Sequence, residues 1–561
     1  MKPPMKKAGR AFALLAGALA ISGPAGCFTL GEGLDPPLRQ LYYPTSVITS
    51  PGQRALYIVN SDFDIQYTGG TVQALDLASL RKCTLRLAAS LADGRSQKQA
   101  CVDDLHLGIN DNSVLVPGPC GPIKVDDPLV CILEPGGLTP DEGLVSGPLI
   151  RSSRIIGAFA SSATLVQNPE PGPDEITARL FVAVRGDPSI TVFDLADDTN
   201  ADVADPFLLD CDAVSTGRDP ALGGRCGNGA RAGVDRYDSI RLLTLPVEPV
   251  GVAVNDRGKA VVAVHQTAAA ASLLSNNWAP IGAPGAEVSM EFTMTGLPDG
   301  PADIVSLPTP AYATLRADDP TFDYRPGFLA TFLAAPEVDL LRYYDDSDGT
   351  ARHFLQRVAR FPIVTNTDGS DSRGVAVLDA DRRACEADCD PADDACLLDC
   401  TDIPLQVFVA NRAPASLLFG DLETQRVEKD GELTGMVDTL ALNDMVPLSS
   451  GPSRVSVGNV LDADGRASPR VFAISFDSRY VVIYDPAQRR VEAAIRTGRG
   501  PHALAFDVTE KTATEEGHAL LYVAHFTDSY IGVVDIDARH ARTYGSMFAA
   551  VGTPTPPKES N

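Results

Sequence analysis

Seven histidines and eleven cysteines are the residues here whose chemistry reaches beyond packing. His265 and His525 each end a short apolar run, AVVAVH and LYVAH, and Asn60 and Asn411 hold the same place in LYIVN and VFVAN. Arg185 follows the comparable run LFVAV. If these runs are copies of one unit arranged about an axis, the five residues form a ring of imidazole, amide and guanidinium groups at the channel or its mouth. Such a ring would bind a metal or a polar ligand. The alternative is that the side chains meet channel water and satisfy nearby backbone. His502 follows Gly500-Pro501 and reads as part of the repeat, while His106, His353, His518 and His540 stand in no recognisable carboxylate or thiol arrangement.

Nucleophile and metalloprotease signatures are absent: the sequence contains no G-x-S-x-G, H-E-x-x-H or C-x-x-C-H. Acidic turns occur at Asp345–Gly349, Asp462–Gly465 and Asp194–Asp205. None has the full calcium-loop spacing with a distal Glu, so they read as solvated turns. No resident cofactor is expected, calcium or another axial metal being the alternative.

Setting Cys27 aside leaves ten cysteines, an even number suited to an oxidising compartment. They are Cys83, Cys101, Cys120 and Cys131, then Cys211 and Cys226, then Cys385, Cys389, Cys396 and Cys400. The last four form two helical i, i+4 steps around Asp390-Pro391. Each step puts its two thiols on one helix face, so two antiparallel turns would be stapled Cys385 to Cys400 and Cys389 to Cys396. A tetrahedral zinc site is the rival, although zinc more often uses C-x2-C pairs.

The elements that must position these residues are short strands. Seven hairpins recur, with cores near residues 56, 180, 260, 329, 407, 471 and 521. Their second halves close on an acidic step, as in TVQALDL (71–77), ITVFDL (190–195), YVVIYDP (480–486) and IGVVDI (531–536). A third run often precedes the hairpin behind a proline, as in PTSVIT, PVGVAV, GPADIVSL, GPSRVSV and GPHALAF. Proline cannot donate to a sheet ladder and belongs at a strand's start. Gly451 and Gly500 open successive copies 49 residues apart, about one four-stranded blade. The expected fold is all-β: a seven-bladed β-propeller spanning residues 44–548, with disulfide-stapled loop insertions near 78–150, 199–245, 309–326 and 380–404. A β-sandwich is the rival fold, and residues 549–561 read as a disordered tail.

The Gly-Pro opening, the Tyr-Val-Ala-His and Phe-Val-Ala-Asn steps and the closing Val-Val-Asp-Ile resemble the YVTN-type and lactonase-like seven-bladed propellers of bacteria. Residues 451–491 and 500–540 match best, and the copies near 260 and 329 match least. The lactonase-like members act through metal or acidic residues around the axis, which the resemblance makes an expectation here.

The N-terminus reads as a leader. Lys2, Lys6, Lys7 and Arg10 precede the apolar stretch Ala11–Ile21, and Ala25-Gly26-Cys27 resembles a bacterial lipobox, with Pro24 where Leu is usual. Residues 1–26 would be a lipoprotein signal peptide, Cys27 the lipidated residue and 27–43 the anchor and linker. An ordinary secretory signal is the alternative. Phe28 in place of Asp after the lipidated position points to the outer membrane of a Gram-negative cell. The net charge is −26, and removing the leader's four basic residues takes the mature chain to −30, which disfavours nucleic acid as a partner. The expected function is a cell-envelope lipoprotein that serves as a binding platform for an unidentified protein, glycan or small ligand. The alternative is a lactonase-like hydrolase or a periplasmic oxidoreductase partner using an axial metal or acidic site.

Overall fold

The computed structural model describes residues 33–96, 100, 123–126, 130–135, 148–173, 175–214, 219–239, 241–283, 288–317, 319, 321–345, 353–363 and 371–554. Cys27, Cys101, Cys120, His106, the leader and residues 555–561 lie outside them.

Each of seven sheets is built on antiparallel strands that follow one another outward in chain order, and the sheets of blades 1 and 7 gain further strands in parallel at their outer edges. The inner strands are Pro44–Thr49, Ala160–Gln167, Pro249–Val254, Pro301–Ser306, Ser372–Leu378, Pro452–Leu461 and Pro501–Thr509. Each packs beside the next, and the seventh packs beside the first, so the ring is closed. The second strands begin at residues 55, 178, 260, 327, 405, 467 and 518, matching the seven hairpin cores read from the sequence. Second and third strands are buried on both faces because each sheet is sandwiched between two neighbours. Ala178–Val184 and Ser189–Leu195 are buried at every position. Outer strands face solvent on one edge, and Arg490–Arg496 buries only Ile495.

Each inner strand starts with a bulge at its second residue. In six blades the residue just before it has a positive φ: Tyr43, Phe159, Glu248, Gly300, Gly451 and Gly500. Glycine adopts that left-handed backbone without Cβ strain, which is why Gly-Pro opens three of the blades.

Antiparallel alternation puts the turn between second and third strands on the face where inner strands begin, here called the upper face. All four insertions leave the turns on the opposite, insertion face. Two of them also brace the ring. The segment after Asp76 forms a helix, α1 (Leu77–Ala92), capped by Asp76 Oδ1 accepting from Ser79 N, and then strands Ile123–Asp126 and Val130–Leu133. The second of these pairs in parallel with the outer strand of blade 7, so blade 1 is sewn across the chain's seam. Arg81 of α1 adds a two-pronged ion pair to Asp507 of blade 7, both contacts at 2.9 Å. The segment Leu222–Arg225 likewise leaves blade 2 to pair with the outer strand of blade 1.

Disulfides join Cys211 to Cys226, Cys385 to Cys400 and Cys389 to Cys396, and Cys83 and Cys131 are also disulfide-bonded. The last cluster staples helices Ala380–Asp388 and Asp394–Cys400, as its spacing predicts. Their buried side packs on Tyr312, Phe322 and Met436. Two boundaries differ from the sequence reading. The outer strand of blade 7 runs Ser546–Val551, past residue 548, because Phe548–Val551 is buried to the last residue and the break comes at Gly552. Leu41 and Tyr42, expected in a linker, are buried against blade 1.

Candidate functional site

The five residues expected to ring the axis fall into two groups. Asn60, His265 and His525 end their second strands, Asn411 stands one residue before the end of its own, and all four are fully buried. Three of them hold the loop that leads into their own blade. Asn60 Oδ1 accepts from Tyr42 N at 3.1 Å, His265 Nδ1 lies 3.2 Å from Val247 O, and His525 Nε2 accepts from Gly498 N at 3.2 Å. Ser475 does the same in blade 6, donating to Ser449 O. Asn411 instead donates to Pro414 O within its own turn. Burial lowers His265 to about 4 and His525 to about 3, so both are neutral imidazoles. Arg185 is separate: half-buried, it pairs at 2.7 Å with Glu248 on the approach to blade 3. These side chains are taken up by the chain's own backbone and by an inter-blade brace.

The side chains that meet at the axis come from the inner strands. Arg454 of blade 6 places Nη1 3.6 Å from Asp303 Oδ1 of blade 4, while its Nη2 donates to Ser161 O of blade 2 at 3.3 Å. No two of these blades are neighbours, so the guanidinium lies across the middle of the ring. Asp303 also accepts from Val375 N of blade 5. Burial pushes its carboxyl up, and the Arg454 charge works against that. His502 of blade 7 sits 2.8 Å from Thr45 O of blade 1 and is lowered to about 3 by desolvation in the channel and by Arg454. The missed signal was the residue one or two places after each opening proline: Asp303 in GPAD, Arg454 in GPSR and His502 in GPH.

A second cluster lies on the insertion face. A cavity of about 340 Å³ is walled by Leu85, Ala88 and Ala89 of α1 and by the insertion-face end of blade 7, with His518 and Asp535 at its strand ends and Arg539 and His540 in the following loop. His540 Nδ1 lies 3.0 Å from Asp535 Oδ2, and His518 Nε2 lies 3.1 Å from Asp507 Oδ1. Both carboxylates are almost wholly buried. The Asp535 hydrogen bond raises the His540 imidazole above its ordinary value, leaving its second nitrogen as a donor when protonated. Burial opposes ionisation of Asp507, but His518 and Arg81 hold it below the usual carboxylate range. Arg539 is already engaged, donating to the Asp537 carboxylate of its own loop and to Glu516 O and Gly517 O of the loop before His518. Along the chain His518 and His540 show no partner, because Asp507 pairs across two strands and Asp535 across a loop that only the fold closes.

The acidic turn at Asp462 is self-contained, its Oδ1 accepting from Asp464 N and Arg466 N at 2.9 Å each. Among the described residues, the thiols of Cys385, Cys389 and Cys400 are the group close enough to share a metal, and they are joined in disulfides.

No protein-family model and no curated protein matches the chain. Several solved structures are similar in shape. A candidate 6-phosphogluconolactonase from Bacteroides fragilis is 12% identical, with 82% of this chain and 86% of that one covered and a TM-score of 0.40. Hydrazine synthase from Kuenenia stuttgartiensis is 11% identical over 89% and 97% of the two chains, with a TM-score of 0.37. The periplasmic gluconolactonase of Pseudomonas aeruginosa is 15% identical over 70% and 98%, with a TM-score of 0.34. Nothing about ligand or reaction is carried to this chain from likenesses so distant.

Proposed function

We propose that the protein is an exported, lipid-anchored binding platform that takes a small ligand on its insertion face. The observation that carries this reading is the 340 Å³ cavity between α1 and blade 7, where an apolar helix wall faces a carboxylate-held imidazole. An apolar cleft with a few fixed polar groups is the usual form of a small-molecule site. A ligand with an apolar body and a hydrogen-bond acceptor would lie along Leu85 and Ala89 and meet His540. Export is supported by the leader pattern and by the disulfides, which persist in oxidising compartments. Attachment through Cys27 to the outer membrane rests on the lipobox resemblance.

The test is a ligand-observed NMR screen of small organic acids and sugars against the mature protein and its Ala89→Trp variant. Ala89 is exposed, so the indole fills the cavity without entering the core. Probes that bind the parent and lose binding in the variant support the reading, and its failure would be a screen in which no bound probe responds to Ala89→Trp. Cys27→Ser should release the protein from the membrane fraction.

A hydrolase reading is favoured by one observation, the convergence of Arg454, Asp303 and His502 at the axis. Lactone hydrolysis that disappears in Arg454→Met while folding is retained would move the activity there.

A further inference from the structure

We infer that the upper face of the propeller docks on a lipid bilayer through Leu34, Phe63 and Ile65. The three are 74%, 52% and 66% exposed, although each is a large apolar side chain. They form one wall. Leu34 O accepts from Thr68 N, which fastens the N-terminal segment beside the 61–70 turn that carries Phe63 and Ile65. Phe63 is rooted on other aromatic rings, with centroids 5.2 Å from Phe526, 5.9 Å from Phe159 and 6.1 Å from Tyr43. Those contacts fix its orientation, so exposing it is a property of the fold rather than of a loose loop. Asp64, between the two apolar residues, turns its carboxylate back to Tyr43 Oη and the Gln66 amide.

The chain's course names the occupant. This inference rests on lipid attachment at Cys27, which stands six residues before Gly33. Even fully extended, that length reaches only about 20 Å. A bilayer holding the acyl chains would therefore lie close to the wall that Leu34 and Phe63 share. The acyl chains tether the protein without orienting it, and apolar side chains entering the interface decide which face lies on the bilayer. The strongly negative mature chain points to a zwitterionic surface rather than an anionic one. The four insertions, and the cavity beside α1, would then face away from the membrane.

Tryptophan fluorescence separates the parts of this inference, because the sole native tryptophan, Trp278, is buried beside the Gly258 turn on the insertion face. Full-length lipidated protein carrying Phe63→Trp is mixed with phosphatidylcholine–phosphatidylethanolamine vesicles whose acyl chains are brominated. Flotation reports the anchor, and bromine quenching reports whether the wall enters the interface. The expected result is flotation with the introduced indole quenched by roughly half, and no added quenching in Val427→Trp at the far end of blade 5. Flotation without quenching in Phe63→Trp, or equal quenching in both variants, overturns the docking and leaves the anchor standing. Failure to float overturns the anchor and the docking with it.

Discussion

Arg454 and Asp303 face each other across the propeller axis, from blades 6 and 4, with Nη1 3.6 Å from Oδ1. Both are largely shielded, their side chains 23% and 12% exposed, so the pair works in a medium less polar than water. Removing one partner leaves the other charge poorly solvated, whereas removing both does not. Arg454→Met should therefore cost about 2 kcal/mol, and Asp303→Asn in the Arg454→Met background should recover much of it. Denaturant unfolding of the two single variants and the double variant checks this. Additive single effects would mean that the two residues do not interact.

The four core strands of blade 7 and of blade 1 each come from one end of the ring, so the seam between these blades depends on inner-strand packing and on what blade 1 sends across it, the strand Val130–Leu133 and helix α1. Arg81 is the strongest polar part of that bridge, since Asp507 is fully buried and also accepts from Tyr522 Oη. Arg81→Met should destabilise the protein by about 2–3 kcal/mol. Hydrogen exchange should rise first in Pro44–Thr49 and Pro501–Thr509, with blades 3 to 5 unchanged. Uniform exchange throughout the ring would show that the seam is no weaker than the rest.

What the sequence made legible follows from burial. Second and third strands lie between sheets and read as unbroken apolar runs, so all seven hairpins could be counted. Outer strands such as Arg490–Arg496 alternate with charge and gave no run to find. The inner strands Ala160–Gln167 and Ser372–Leu378 lack the opening proline that marked five others. The axial residues were misplaced by one strand for a related reason. Apolar runs draw attention to their polar final residues, His265 and His525, yet those close inward on the backbone. Arg454 and Asp303 reach the centre from a bulge, where the ordinary alternation of side chains is broken. His540 was invisible because its partner Asp535 is brought to it by the turn at the end of a strand.

The stapled hairpin at 380–404 is an appendage whose stability should be separable from that of the ring. Each of its disulfides closes a short loop, 15 residues for Cys385–Cys400, which in the chain-entropy account is worth about 3 kcal/mol. Its ties to the ring include a small apolar cluster, Arg382 donating to Thr424 Oγ1, Arg426 donating to Leu398 O and the Asp402 carboxylate, and Glu386 accepting from Ala311 N. Reduction under native conditions should open residues 380–404 to trypsin while the strand circular-dichroism signal persists. Resistance to trypsin after full reduction would show that packing alone holds the hairpin.

His525 offers the cleanest pH test, because blade 1 puts the non-titrating Asn60 in its place. Its imidazole is lowered from 6.5 to about 3 by burial, so the folded protein keeps it neutral while the unfolded chain takes up a proton below about pH 6.5. Its contribution to stability is therefore whole above pH 6.5 and is lost as pH falls toward 3. Asn60 performs the equivalent task in blade 1, accepting a backbone N–H from the approach loop without titrating. His525→Asn should retain the contact with Gly498 N and lose the acid dependence. Relative to the parent, the variant should gain about 1.4 kcal/mol per pH unit below 6.5, reaching about 2–3 kcal/mol near pH 4.5. Chemical unfolding of both proteins at pH 7.5, 5.5 and 4.5 measures this, and the buried carboxyls Asp62 and Asp339, raised to about 6, cancel because both proteins share them. A stability difference that stays constant over that range would mean His525 is reached by solvent protons in the folded state.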